Sequence, residues 1–214
     1  ILKNLSNDLL INIDEYSRKI TNEMGKPLKE SRGEIKKCSQ LCNFYFKHSE
    51  NFLKPYEVKL EKQVAKISYS PLGIILGIMP WNFPFWQVFR ALAPALMVGN
   101  GMLLKGASNV PGCSQAIAQL LASLDVPAGL LTNLPIHASE VERVIANPLV
   151  RGVTLTGSEA AGRAVAAAVA ALASTVDART AAADATVQLL PKVSPPECPP
   201  VSSSSDESNG TVGN

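Results

Sequence analysis

Three short blocks of this chain hold residue types that could do chemistry. Asn82 lies between Trp81 and Phe83 and is flanked by Pro80 and Pro84. Prolines on both sides stiffen the backbone, and an amide held that way can donate to a developing oxyanion. The same asparagine could equally close an Asx-turn on its own backbone. Lys105 ends the apolar run Met102-Leu103-Leu104, and after residue 70 the only other lysine is Lys192. A strand-end ammonium can reach ligand hydroxyls or phosphate, or it can snorkel into solvent. Gly157-Ser158 follows a strand-like run and opens a helical one, with Gly162 further on. The free N–H groups and positive end of such a helix make a phosphate site. The competing reading is an N-cap serine with a glycine for close packing. The full Gly-x-Gly-x-x-Gly fingerprint is missing, so this turn alone assigns nothing.

Thiol and metal chemistry have less support. The four cysteines are Cys38, Cys42, Cys113 and Cys198, and the two histidines are His48 and His137. Cys38 and Cys42 are spaced C-x3-C with no second pair, which reads as two thiols on one helix face rather than a zinc site or a disulfide framework. Cys198 sits in Pro195-Pro196-Glu197-Cys198-Pro199-Pro200, with no base beside it to activate a thiolate.

The elements that must position these groups follow from patterning. Residues 1–70 hold 13 of the 20 basic residues and one alanine, Ala65. Residues 1–60 read as helices. Leu9, Ile11, Ile13, Tyr16, Ile20 and Met24 form one apolar stripe that stops at Gly25-Lys26-Pro27. A second helix runs from Pro27 or Leu28 to Phe52, with Ile35, Cys38, Leu41, Cys42 and Tyr45 on one face. Ala65 to Ser70 alternates weakly, as a strand does. From Pro71 the pattern is strand then helix, repeated. Ile74 to Met79 is a buried strand, Phe85 to Val98 a helix with Gly99 as its C-cap, and Met102 to Leu104 a strand. Cys113 to Leu124 is a helix, Leu130 to Leu134 a strand, Val141 to Ile145 a short helix, Gly152 to Thr156 a strand, and Glu159 onward a helix. Such alternation implies an α/β fold with a mostly parallel sheet and right-handed crossovers. Ligands in such sheets sit beyond the carboxyl ends of the strands, where all three blocks lie. From Pro191 to Asn214 there are five prolines, six serines and no Ile, Leu, Phe or Met, a composition that reads as disordered. Three segments result: residues 1–70, helices and a strand; 71–176, a partial ligand-binding sheet; and 177–214, a low-complexity tail.

Taken together, the blocks resemble the aldehyde dehydrogenase superfamily. The likeness rests on Pro71-Leu72-Gly73 through Pro80-Trp81-Asn82-Phe83-Pro84, on Leu104-Lys105, and on Leu155-Thr156-Gly157-Ser158 with Gly162. Met79 to Ser108 is most similar to the succinate-semialdehyde dehydrogenase branch, and Glu23-Met24-Gly25-Lys26-Pro27 resembles that family's N-terminal helical segment. The resemblance implies a partial Rossmann-like cofactor-binding domain behind N-terminal helices. It implies oxidation of an aldehyde, with a semialdehyde such as succinate semialdehyde as substrate and NADP or NAD as cofactor. Met79, Pro80 and Trp81 would line the cofactor cleft. Asn82 would donate to the thiohemiacetal oxyanion. Lys105, with Ala107 and Ser108, would hold the ribose hydroxyls or a 2′-phosphate. Gly157 and Ser158 would meet the pyrophosphate.

The sequence departs from the family where its reaction is completed. No glutamate lies between Glu159 and Glu197, so the family's Glu-Leu-Gly-Gly base segment is not matched, and neither Cys113 nor Cys198 matches its nucleophile. The likeness is expected to stop near Ala170 or Val176, leaving an N-terminal fragment joined to an unrelated tail. An inactive nucleotide-binding or interaction fragment is the alternative, as is a truncated or misassembled product. Ser108 stands where many NAD-preferring relatives carry an acidic residue, which leans the cofactor toward NADP. The net charge of +2 suggests no nucleic-acid partner. The longest apolar runs are broken by Pro and Gly, against a membrane span. No targeting signal is visible, and a cytoplasmic or mitochondrial-matrix location is expected. The family resemblance implies a homo-oligomer for the full-length enzyme.

Overall fold

The computed structural model describes residues 1–59 and 64–175. Three helices open it: α1 (Leu2–Ile11), α2 (Ile13–Met24) and α3 (Leu28–Leu53). The single stripe expected from Leu9 to Met24 is divided. Asn12 breaks the helix, and its side-chain amide donates to the Asp8 carboxylate at 3.0 Å. Leu9 is buried while Ile11 is 78% exposed, because two residues of helix turn a side chain about 200° away. The stop at Gly25 is as read: its φ is +76°, a left-handed cap that glycine adopts without strain.

A β-hairpin follows, β1 (Tyr56–Lys59) paired antiparallel with β2 (Val64–Ile67). Reading residues 1–60 as helical missed β1. Its signal is the alternation of Tyr56 and Val58 with Glu57 and Lys59 just after Pro55, the period of a strand. The second strand is shorter than the Ala65–Ser70 reading.

The remaining elements alternate as expected. They are β3 (Ile74–Ile78), α4 (Trp86–Met97), β4 (Gly101–Lys105), α5 (Pro111–Ala122), β5 (Leu131–Asn133), α6 (Val141–Ile145), β6 (Val150–Leu155) and α7 (Glu159–Thr175). The four-stranded sheet is parallel throughout, in the order β5-β4-β3-β6. Alternate residues serve opposite faces. Ile75, Met102 and Leu104 face a core shared with α1 to α5, which holds Leu5, Leu9, Ile20, Ile35, Phe85 and Phe89. Leu76, Ile78, Leu103 and Val153 face a smaller core with Val141 and Ile145 of α6 and Val165 and Val169 of α7. The N-terminal helices therefore share the main core with the sheet. The expected tail, 177–214, lies outside the described residues. Among the described residues no helix is long and apolar enough to cross a membrane.

Candidate nucleotide site at the strand ends

Counted in chain order, the parallel strands run third-second-first-fourth across the sheet. That is the order of doubly wound nucleotide-binding sheets, whose ligand crevice opens where the order reverses. Here the reversal lies between β3 and β6. Ile78 is level with Lys105 on one side and with Leu155 on the other. The zipper continues past the strands: the Met79 N–H donates to the Lys105 carbonyl, and the Thr156 N–H to the Ile78 carbonyl, each at 3.0 Å. The three blocks, dispersed over residues 79–158, thus start side by side, about 4.8 Å per strand step.

Each candidate residue has a definite place. Met79 is 4% exposed, so its side chain belongs to the core and only its backbone is left to serve a ligand at the strand ends. Pro80 is half-buried, Asn82 is exposed, and Trp81 is 49% exposed. The Asn82 amide is not taken up by its own loop among the described residues, so it is not spent on an Asx-turn. Lys105 is half-buried and has no ion-pair partner there. Ala107 packs against the main core, whereas Ser108 is exposed on the same loop. Gly157 and Ser158 are exposed at the start of α7, and the Ala161 N–H donates to Ser158 Oγ at 3.3 Å, so the serine does act as an N-cap. Close packing does not require Gly162, since a Cβ there would meet only Leu155 Cδ2 at 4.0 Å. Gly106 is different: a Cβ there would overlap the Ser114 hydroxyl, so the loop after Lys105 passes this tightly over α5 only as glycine.

Helices α4 and α5 begin with no side-chain cap of their own; their N-cap positions are Phe85 and Val110. Their first N–H groups need acceptors, and these come from the N-terminal helices. Glu34 Oε1 on α3 accepts from the N–H of Phe85 and of Trp86, each at 2.9 Å. The Glu23 carboxylate on α2 accepts from Gly112 N–H at 2.6 Å and Cys113 N–H at 2.8 Å. Negative charge at a helix N-terminus also favours the helix dipole. Glu34 is 4% exposed and pairs with Lys26, as a buried charge must. Arg90 of α4 donates to Thr156 Oγ1 at 3.1 Å, tying α4 to the end of β6.

These supporting residues escaped the sequence reading. Glu34 had a legible signal, lying four residues before Cys38 on the buried stripe of α3 and so on the same face. Arg90 had none, because its partner is 66 residues away.

The cysteines stand apart. Cys38, Cys42 and Cys113 are buried. Burial pushes the Cys42 thiol up to about 12, and burial followed by the neighbouring Glu23 raises Cys113 further. Cys38 is also raised well above its ordinary value, first by burial and then by Glu34. None sits at the strand ends as a thiolate. Cys198 lies outside the described residues.

Known proteins with this pattern point one way. The profile of the "Aldehyde dehydrogenase family" matches residues 1–187, past the Ala170–Val176 limit expected for the likeness. A succinate semialdehyde dehydrogenase [NAD(P)+] of Escherichia coli (strain K12) is 42% identical over 164 residues, 77% of this chain and 36% of that protein. A succinate-semialdehyde dehydrogenase [NADP(+)] of Deinococcus radiodurans is 42% identical over 166 residues, 78% of this chain and 35% of its own length. The crystal structure of succinic semialdehyde dehydrogenase from Streptococcus pyogenes in complex with NADP+ superposes with a TM-score of 0.76 at 36% identity. It covers 81% of this chain and 37% of that one. The chain thus spans little more than a third of the length of these relatives. Strand order, loop placement and these likenesses converge: the chain belongs to the aldehyde dehydrogenase family.

Proposed function

We propose that this chain supplies the cofactor-binding part of an NAD(P)-dependent oxidation of an aldehyde, a semialdehyde such as succinate semialdehyde, to the carboxylic acid. The observation that carries this is the meeting of Met79–Asn82, Lys105 and Gly157–Ser158 at the reversal point of the sheet. The donor set fits a polyanionic dinucleotide: one ammonium without an ion-pair partner among the described residues, one hydroxyl, and the first N–H groups of α7. In this reading Lys105 and Ser108 hold the ribose or its 2′-phosphate, and the Gly157-Ser158 turn meets the pyrophosphate. Trp81 and the Met79–Pro80 backbone border the ring system, and Asn82 presents its amide to the oxyanion of the reacting aldehyde. When bound, the nicotinamide accepts the hydride. Residues 71–176 form the binding unit, and residues 1–70 support it through Glu23 and Glu34.

Titration calorimetry with NADP tests the assignment. The 214-residue chain is expected to bind, and Ser158→Glu, which puts a carboxylate where the pyrophosphate would sit, is expected to abolish binding by like-charge repulsion. Unchanged affinity in that variant removes the cofactor assignment.

A second reading concerns turnover, and the buried thiols favour it. With none of the three described cysteines able to offer a thiolate, the chain binds cofactor without oxidising aldehyde. Steady NADPH production from succinate semialdehyde by the pure chain, lost in Asn82→Ala, would refute this.

A further inference from the structure

The loop that carries Asn82 is anchored at several points from one direction. Lys26 Nζ stands 3.7 Å from the centroid of the Phe83 ring and pairs with the Glu34 carboxylate. Glu34 Oε1, in turn, takes the N–H groups of Phe85 and Trp86. Further along α3, Lys37 Nζ lies 3.9 Å from the Trp86 ring. Residues 83, 85 and 86 are thus gripped by α3 and the turn before it, while residues 78 and 79 are zippered into the sheet. Asn82 lies in the short span between these two fixed points. Its own side chain has no described partner, so its direction follows the backbone that carries it.

Within the grip, Lys26 is the joint. Its side chain is 10% exposed and that of Glu34 1%. In that setting an unpaired carboxylate is costly, so Glu34 holds its place as an acceptor only while the ammonium is beside it. The same ammonium lies over Phe83, the residue next to Asn82. Cation–π attraction is strongest where water is excluded.

We propose that Lys26 is a positioning residue for the Pro80–Phe85 loop. Through Glu34 and Phe83 it fixes the direction of Asn82 and the wall of the cofactor cleft. The inference rests on the cleft assignment above for its functional consequence, though not for the clamp itself.

The test has two readouts on the 214-residue chain: amide hydrogen exchange residue by residue, and calorimetric affinity for NADP. In Lys26→Met the Phe85 and Trp86 amides are expected to exchange about tenfold faster, while amides of β4 keep their rates, because the opening is local. NADP affinity is expected to fall about tenfold, a loss of ~1.4 kcal/mol. Lys26→Arg keeps both charge and ring contact and is expected to restore both readouts to within about threefold. Should Lys26→Met fail to fold, Phe83→Leu serves in its place. That ring is 44% exposed, and its loss is expected to loosen the same amides with the ion pair intact. Unchanged exchange at residues 85 and 86, or acceleration spread evenly over β4 as well, overturns the proposal. If the clamp behaves as expected but the parent chain binds no NADP, the cleft assignment fails and the clamp stands. If NADP binds and Lys26→Met alters neither readout, the clamp fails and the assignment stands.

Discussion

Two expectations belong to single side chains, one for cofactor choice and one for the strength of the α3–α4 join. Ser108 is exposed on the loop after Lys105, the ammonium proposed to meet the ribose. An uncharged hydroxyl there can donate to a 2′-phosphate oxygen, whereas a carboxylate would repel it. A charge-assisted contact between Lys105 and that phosphate is worth roughly 1.5–3 kcal/mol. Ser108→Glu is therefore expected to weaken NADP binding about ten- to a hundredfold while changing NAD binding little, by parallel calorimetric titrations. Equal effects on both cofactors would mean that the serine does not read the 2′ position. Glu34 acts on stability. Removing its carboxylate leaves Lys26 buried without its partner and two N–H groups without their acceptor, so Glu34→Ala is expected to destabilise the fold by about 3–5 kcal/mol in urea unfolding. The places of Asn82, Lys105 and Ser158 beyond the strand ends were legible, because their types stand out where apolar runs stop. The burial of Glu34 was legible from the stripe of α3, but its pairing with Lys26, in the turn before that helix, was not, because a charge on a buried stripe shows that a partner exists without saying which one.

At the level of elements, β3 and β4 were legible from their apolar runs, and α4 and α5 from their length. Boundaries set by a single polar residue were not. Asn12 breaks α1 from α2, and no periodicity announces such a break. Asn100 is another case. It is 5% exposed, and its side-chain oxygen accepts from Leu72 N–H at 2.7 Å and Gly73 N–H at 2.9 Å. It therefore fastens the approach to β3 to the approach to β4. Loss of both bonds in Asn100→Ala leaves two donors stranded, and a drop of about 1–3 kcal/mol is expected. Hydrogen exchange should place the loosening at Leu72 and Gly73, ahead of the strands. A variant that melts like the parent would show that water replaces the asparagine at no loss. Glu23 has the corresponding task for α5, and its position in Glu23-Met24-Gly25-Lys26-Pro27 gave the sequence a motif whose mechanical use becomes visible only once α5 is packed beside it.

For the whole molecule, the buried thiols make stability depend on pH in one direction. Burial raises Cys42 to about 12 and raises Cys38 and Cys113 as well, so the folded chain keeps protons that the unfolded chain releases from an ordinary value of 9.0. The contribution is fully present below about pH 9 and declines above it, by up to ~1.4 kcal/mol per pH unit for each thiol. Burial raises Tyr16 too, with the same sign at higher pH. Urea midpoints at pH 7.5 and pH 10 should show the loss, and Cys42→Ala should show less of it; equal losses in both proteins would exclude Cys42 as a source.

The placement of β3 between β4 and β6 has a further consequence, for how the chain becomes a sheet as it is made. β4 follows β3 after one helix, but β6 pairs with β3 only when residues 150–155 have been synthesised. Until α7 follows, Leu76 and Ile78 also lack the cover of Val165 and Val169, while the opposite face is already closed by α4 and the N-terminal helices. Late, non-local pairing slows folding, and uncovered apolar strand surface invites association in the interval. The nascent chain thus passes through a stage with one finished face and one sticky face. At that stage association competes with completion of the sheet.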